Sequence, residues 1–189
     1  MNRMIFSRAR LYAVMTRLLA VLLLPFACLR SPGRARYLAC QWALGLRFPA
    51  EDLSGLVPAV REAFTAARTE AFWRDDQLIG LTSGHRDAAE QHRLFTDEVR
   101  RTGSVREACR LVLPPAESTH VSGIALDVRP TEGAAWLERH GGVHHLHRRY
   151  DNEWWHFEYH LCPPPRLPYP GAGAPADGRP RVRTGEWVV

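Results

Sequence analysis

Two short stretches carry the groups that could do chemistry. Ser118-Thr119-His120-Val121-Ser122-Gly123-Ile124-Ala125-Leu126-Asp127 offers an imidazole and a carboxylate; Glu153-Trp154-Trp155-His156 offers a second imidazole and a second carboxylate. His120, Asp127 and His156 could join on one metal ion, with Glu153 left free beside them. A catalytic zinc site needs that inventory: three N/O ligands, an open position for water, and a base. Taken singly, each residue has a bland account. A lone strand histidine is commonly a hydrogen-bonded structural residue, and a strand aspartate can cap a neighbouring turn. Their joint spacing, with the small Gly123 and Ala125 between them, is what points to a metal.

The elements that must position these groups can be read around them. His120 falls in a Ser/Thr-rich loop after Pro114-Pro115, and Gly123 lets the chain turn into a short strand from Ile124 to Val128. On that strand Ile124, Leu126 and Val128 share one face, while Ala125, Asp127 and Arg129 share the other. A second strand-like run, Trp154 to His160, suits a sheet. Glu153 lies three residues before His156, so a turn or bulge is required if both are to face one ion. Upstream, Leu56, Val60, Phe64, Ala67 and Ala71 recur at helical spacing with Pro58 in the first turn. Gln77 to Thr82 reads as a strand. Asp87 and Glu90 begin a helix to about Arg101, with Leu94, Phe95 and Val99 inward. Ser104 and Glu107 cap a shorter helix towards Leu111, and Thr131 caps one that ends at Gly141-Gly142. The order predicts an α+β domain with a small antiparallel sheet flanked by helices.

The pattern S-x-H-x-x-G-x-A-x-D followed by E-x-W-H resembles the VanY-type D-alanyl-D-alanine carboxypeptidases, zinc metallopeptidases of the wider lysostaphin, D-Ala-D-Ala peptidase and hedgehog group. Ser83-Gly84-His85-Arg86 with Gln91 is similar to that family's S-G-Y-R…Q segment, with His85 where Tyr is more usual. The resemblance covers roughly Leu78 to Tyr159, with three motifs in order. It implies a hedgehog/D-Ala-D-Ala-peptidase-like fold and one Zn2+ per chain on His120, Asp127 and His156. It implies Glu153 as general base, Arg86 as partner of the developing oxyanion, and Ser118 and Gln91 beside the substrate, with His85 on the pocket wall.

Composition narrows the rest. All 25 basic residues are Arg, against 20 acids. Residues 1–50 hold eight of these arginines and no acid, whereas the remainder is net −3, so the folded part lacks the excess charge of a nucleic-acid groove. Residues 1–44 are expected to be a signal peptide or membrane anchor. Arg3, Arg8, Arg10 and Arg17 precede the apolar run Leu18 to Leu29, which is interrupted only by Pro25. An amphipathic helix docked on the domain is the alternative. Residues 45–162 form the expected peptidase domain, and 163–189 a Pro/Gly-rich extended or disordered tail. Four cysteines without a C-x-x-C make no metal site. Cys109 and Cys162 could pair, or remain two small hydrophobes. His144, His145 and His147 read as a solvated connection. Ser83 and Ser118 lie in no G-x-S-x-G elbow, so no serine nucleophile is indicated.

The expected partner, by resemblance, is the D-Ala-D-Ala end of a peptidoglycan stem peptide. The N-terminal segment would provide membrane contact and export to the cell envelope. Two related activities, wall endopeptidase and D,D-dipeptidase, would use the same metal. A non-catalytic zinc-stabilised binding module would have no need of Glu153 and Arg86. The stretch Gly141 to Arg149 is expected to close one side of the cleft, with Arg148 or Arg149 a candidate for a terminal carboxylate unless both are simply solvated.

Overall fold

The computed structural model describes residues 2–173. Its centre is a four-stranded, wholly antiparallel sheet in the order β1-β2-β4-β3, formed by β1 (Gly80–Ser83), β2 (Ala125–Arg129), β3 (Leu146–Arg148) and β4 (His156–Tyr159). The expected α+β class and small antiparallel sheet are what the chain adopts. Helices α1 (Asn2–Arg30), α2 (Ala35–Arg47) and α3 (Pro58–Asp75) precede the sheet. Helices α4 (Ala88–Thr102) and α5 (Val105–Ala108) lie between β1 and β2, and α6 (Thr131–His140) follows β2.

Alternation along the strands separates core from site. Leu126 pairs with Phe157 in register, and both pack with Ile79, Leu81, Val128 and Leu146 against Val60 and Phe64 of α3 and Trp136 and Leu137 of α6. The opposite face carries Asp127 in register with His156, and Ala125 in register with Glu158. Pro58 opens α3, where the missing N–H costs nothing, and Asp76 ends it in the left-handed conformation. Asp87 Oδ1 accepts from the Glu90 N–H at 2.7 Å, which starts α4 as expected. Leu94, Phe95 and Val99 are only half-buried, because α4 lies over the site side of the sheet and buries chiefly Gln91.

Several local expectations change. Thr131 is the first residue of α6, with Pro130 in the capping position. The helix after Ser104 stops at Ala108. The histidine-rich connection is ordered: a 3-10 turn over Gly141–His144 leads into β3, the sheet edge, where Leu146 faces Tyr159. His144 Nε2 lies 2.8 Å from Glu70 Oε2. Three histidines in four residues, His144 to His147, mask a strand whose only buried apolar side chain is Leu146. Of the stretch expected as an extended or disordered tail, residues 163–173 are tied to the domain by backbone bonds. Tyr150 bridges Leu167, Asp151 N–H donates to the Leu167 carbonyl, and Gly171 N–H donates to the Cys109 carbonyl. Its remainder, 174–189, lies outside the described residues. Helices α1 and α2 pack on the end of α3 through Ala20, Cys40, Ala43, Leu44 and Phe72. All four cysteines are free.

Candidate metal centre

Three ligand atoms from three places converge. Two come from paired strands, because the β2–β4 register sets Asp127 directly opposite His156. The third comes from the loop before β2. Gly123 makes this loop possible: its φ is +71°, and a Cβ there would meet the Gly55 carbonyl at 2.6 Å. The tight turn, closed by the Gly123 N–H to the His120 carbonyl, leaves His120 over the strand pair. His120 Nε2 lies 3.3 Å, and His156 Nδ1 3.1 Å, from the same Asp127 Oδ1. These ligand atoms fall within 4.8 Å of one another, and all three residues are buried.

The outward atom of each ligand is tied. His120 Nδ1 lies 2.6 Å from the Gly84 carbonyl, which can only accept, so that nitrogen carries the proton and Nε2 presents a lone pair. His156 Nε2 donates to Glu158 Oε1 at 3.3 Å, which leaves Nδ1 free in the neutral ring. Asp127 Oδ2 accepts from Arg86 Nη2 at 2.7 Å. Supporting hydrogen bonds of this kind orient metal ligands and fix their tautomers. Three lone pairs aimed at one point repel unless a cation or proton lies among them, so the donor set fits a metal ion. The charges agree. Burial alone would lower His156, but hydrogen bonds and charge from Asp127 and Glu158 outweigh it and raise it to about 9. Asp127 and Glu158, which burial would raise, are both held well below the usual carboxylate range by the histidines around them.

Glu153 occupies the turn position that its spacing requires. The chain turns over Trp154 and Trp155 and enters β4 only at His156, placing Glu153 Oε2 3.9 Å from His156 Nδ1. Burial pushes its carboxyl up to about 7, in the range of a base that works near neutrality. Arg148 braces this turn by donating to the carbonyls of Tyr150, Asp151 and Glu153.

A cavity of about 440 Å³ opens over the cluster, walled by Arg86, Ser118, Tyr150, Trp155 and the apolar run Leu111, Val112 and Leu113. Ser118 therefore reaches it, and Trp155 lines it. Gln91 also borders it, but its amide is engaged on both sides, donating to the Leu113 carbonyl and accepting from Arg86. Arg86 is not a surface partner of Asp87 or Glu90; it spans Ser83, Gln91 and Asp127. His85 is corrected: it is exposed and stacked over Gly55, outside the cavity. The Gly141 to Arg149 stretch is also corrected. It forms the far edge of the sheet, so it does not close the cleft, and neither Arg148 nor Arg149 lines the cavity.

Sequence reasoning missed Glu158 and Tyr150. Glu158, 2% exposed, accepts from His156, from His160 at 2.7 Å and from Thr119 Oγ1 at 3.0 Å. Tyr150 lies tilted over His156 with ring centroids 5.0 Å apart, and its hydroxyl reaches Glu158 at 3.4 Å. The available signal for Glu158 was its two-residue offset from His156 on one strand face.

Residues 55–162 match the family profile described as VanY, D-alanyl-D-alanine carboxypeptidase. A comparison with curated proteins finds no match. Among solved structures, the chain is similar to a vancomycin-resistance D,D-pentapeptidase VanY from a VanB-type cassette, solved with Zn(II). The TM-score is 0.50 and identity 22%, over 58% of this chain and 76% of that one. It is similar also to VanYB in complex with D-Ala-D-Ala, with TM-score 0.50 and 22% identity over 58% and 75% of the two chains. The LdcB L,D-carboxypeptidase gives TM-score 0.50 and 21% identity over 55% of this chain, which spans only 58% of the length of that one. At these identities the likeness establishes the fold.

Proposed function

Since the chain belongs to the VanY family of D-alanyl-D-alanine carboxypeptidases, we propose that it hydrolyses the terminal D-Ala-D-Ala bond of peptidoglycan stem peptides, releasing D-Ala. The observation that carries this reading is the convergence of His120 Nε2, Asp127 Oδ1 and His156 Nδ1 beside a buried, free Glu153. We assign the catalytic unit to residues 45–162 and its metal to one Zn2+ on those three residues.

A zinc ion held there supplies Lewis acidity, polarising a carbonyl and lowering the pKa of water from about 15.7 to about 7. The chain's own groups do the rest. Glu153 Oε2 takes a proton from water as its oxygen adds to the carbonyl carbon, then gives that proton to the leaving nitrogen as the C–N bond breaks. Arg86 keeps Asp127 aimed inward through Nη2. Its Nη1, held only by a 3.3 Å contact to Gln91 among the described residues, is free to turn towards the oxygen that gains charge. Tyr150, Trp155 and Leu113 wall off water, and Ser118 offers a hydroxyl to the peptide. A purely structural zinc site has four protein ligands and leaves no buried base unpaired. That contrast favours an enzyme over a binding module.

The substrate lies outside the cytoplasmic membrane, which agrees with the apolar N-terminal helix. Mass spectrometry of a stem pentapeptide digested by the zinc-loaded full chain tests the assignment. Loss of a single alanine is expected, and amidation of the terminal carboxylate should abolish it. Loss of the D-Ala-D-Ala pair, or cleavage of cross-linked dimers with the free end untouched, would replace the carboxypeptidase by a dipeptidase or an endopeptidase.

A further inference from the structure

Helix α1 exposes a stripe of large apolar residues. The face turned to α2 and α3 mixes small and polar residues, Ala13, Thr16, Arg17, Ala20 and Ala27, with half-buried Leu19, Leu23 and Leu24. The outward face holds Leu18, Leu22, Phe26 and Leu29, 59–86% exposed, extended by Leu11, Val14 and Met15. An amphipathic helix on a globular domain presents the reverse arrangement to water, and an apolar face of this length marks an interaction surface. Fully buried alanines, Ala20 and Ala27, where the backbones meet and a bulky apolar stripe left outside fit a helix whose outer surroundings are lipid.

From length and hydropathy alone, Arg10–Arg30 could cross a bilayer. Its packing argues for another placement. Arg17, midway along α1, donates to Asp76 and to the Phe72 carbonyl at the end of α3, where Arg74 also pairs with Glu70 and Asp75. A spanning α1 in this packing would carry those charges into hydrocarbon, at high cost. A helix lying in the plane of the membrane surface buries Leu18, Leu22, Phe26 and Leu29 and leaves the charges on the wet side.

Charge supplies the second argument. Residues 1–50 contain eight arginines and no acid. Beside the N-terminal half of α1 a cavity of about 670 Å³ is lined by Arg10, Arg47 and Arg129 and by two acids, Glu132 and Asp76, the latter neutralised by Arg17. The Nε atoms of Arg47 and Arg129 are buried without a hydrogen-bond partner among the described residues. Guanidinium groups match phosphate oxygens. We propose that α1 is an in-plane membrane-seating helix, integral to the fold, whose apolar face enters an anionic phospholipid surface while Arg10, Arg47 and Arg129 hold a lipid phosphate. This deepens the envelope location proposed above and is independent of the bond cleaved.

The test uses the full chain, diluted from detergent onto vesicles of phosphatidylcholine alone or with phosphatidylglycerol, and read by co-flotation. Wild type should float with the anionic vesicles, and less so at high salt. Leu18→Glu/Leu22→Glu/Phe26→Glu should lower partitioning at least about tenfold, and Arg47→Gln/Arg129→Gln should remove the preference for the anionic lipid. Hydrolysis of a soluble pentapeptide and the circular-dichroism spectrum should stay unchanged in both variants, which separates failure here from failure of the peptidase assignment. Orientation is read with bimane placed at Leu11→Cys, Leu18→Cys or Leu29→Cys, with Cys28, Cys109 and Cys162 replaced by Ser. Equal shallow quenching by doxyl lipids at all three sites is expected. A deep Leu18 position flanked by shallow ends would make α1 a spanning helix and overturn the proposal. So would wild type left unbound, or a triple-glutamate variant that floats like wild type.

Discussion

Glu158→Gln is the substitution that most sharply tests how the centre is built. The change keeps the side-chain volume and one acceptor oxygen but removes a buried charge that faces His156 Nε2 at 3.3 Å and His160 Nε2 at 2.7 Å. The magnitude follows from His156. Two carboxylates hold positive charge on that ring against burial at nearly equal distance, Asp127 at 3.1 Å and Glu158 at 3.3 Å. Removing one of the two should weaken zinc binding by about tenfold, the lower end of the ~10–100-fold typical for residues supporting a metal ligand. The same carboxylate also favours the proton that competes with zinc on His156, so relieved competition masks part of the loss at pH 7. Chelator-competition titrations should show a larger loss well above pH 9, where His156 has lost its proton in both proteins, than at pH 7. Equal zinc affinity for wild type and Glu158→Gln at both pH values would refute the argument that charge on Glu158 reaches the metal through His156.

Further outcomes follow from the same geometry. His120→Ala, Asp127→Ala and His156→Ala should each lower bound zinc by elemental analysis and reduce thermal stability in the zinc-loaded sample, since metal binding and folding are coupled. Glu153→Gln should retain zinc and fold while losing about 10²–10⁴-fold in kcat, because an amide cannot take the proton; wild-type turnover would move the base elsewhere. Gly123→Ala should destabilise the domain by at least about 1–2 kcal/mol in urea unfolding, from the left-handed backbone alone, and more from the contact with the Gly55 carbonyl.

The site was legible where local rules suffice and obscure where distant residues decide. Alternation along Ile124 to Val128 assigned Asp127 to the face away from the core, and β2 obeys it. The three-residue offset of Glu153 from His156 required a turn, and the chain turns at Trp154-Trp155. Joint spacing with Asp127 and His156 pointed to His120 as a ligand, and the family pattern carried most of that assignment, because taken singly it is an ordinary loop histidine. Two features were out of reach. Arg86 meets Asp127 across 41 residues, and nothing near Arg86 in sequence announces that partner; its neighbours Asp87 and Glu90 are the obvious candidates and are not used. The anchoring of 163–173 rests on backbone bonds to Arg149, Asp151 and Cys109, which composition cannot reveal, and proline content points the other way.

The centre is assembled from one regular feature and three irregular ones, and this division has a mechanical consequence. Register between β2 and β4 holds Asp127 against His156, and two packed strands are a stiff mount. The remaining groups each require a break in regularity. A bulge between Leu81 and Ser83 brings Ser83 opposite Asp127, so that Gly84 and Arg86 reach the site. The left-handed Gly123 swings His120 over the strands, and the Trp154-Trp155 turn lifts Glu153 out of the β4 alternation. Each break is tied back to the site: the Gly84 carbonyl to His120, the Arg86 N–H to the His120 carbonyl, and the Glu153 carbonyl to Arg148. The base thus depends on an arginine that never enters the cavity. Arg148 positions Glu153 through the backbone, whereas Arg86 positions Asp127 through its side chain, so proton transfer and metal holding rest on separate supports within one sheet face.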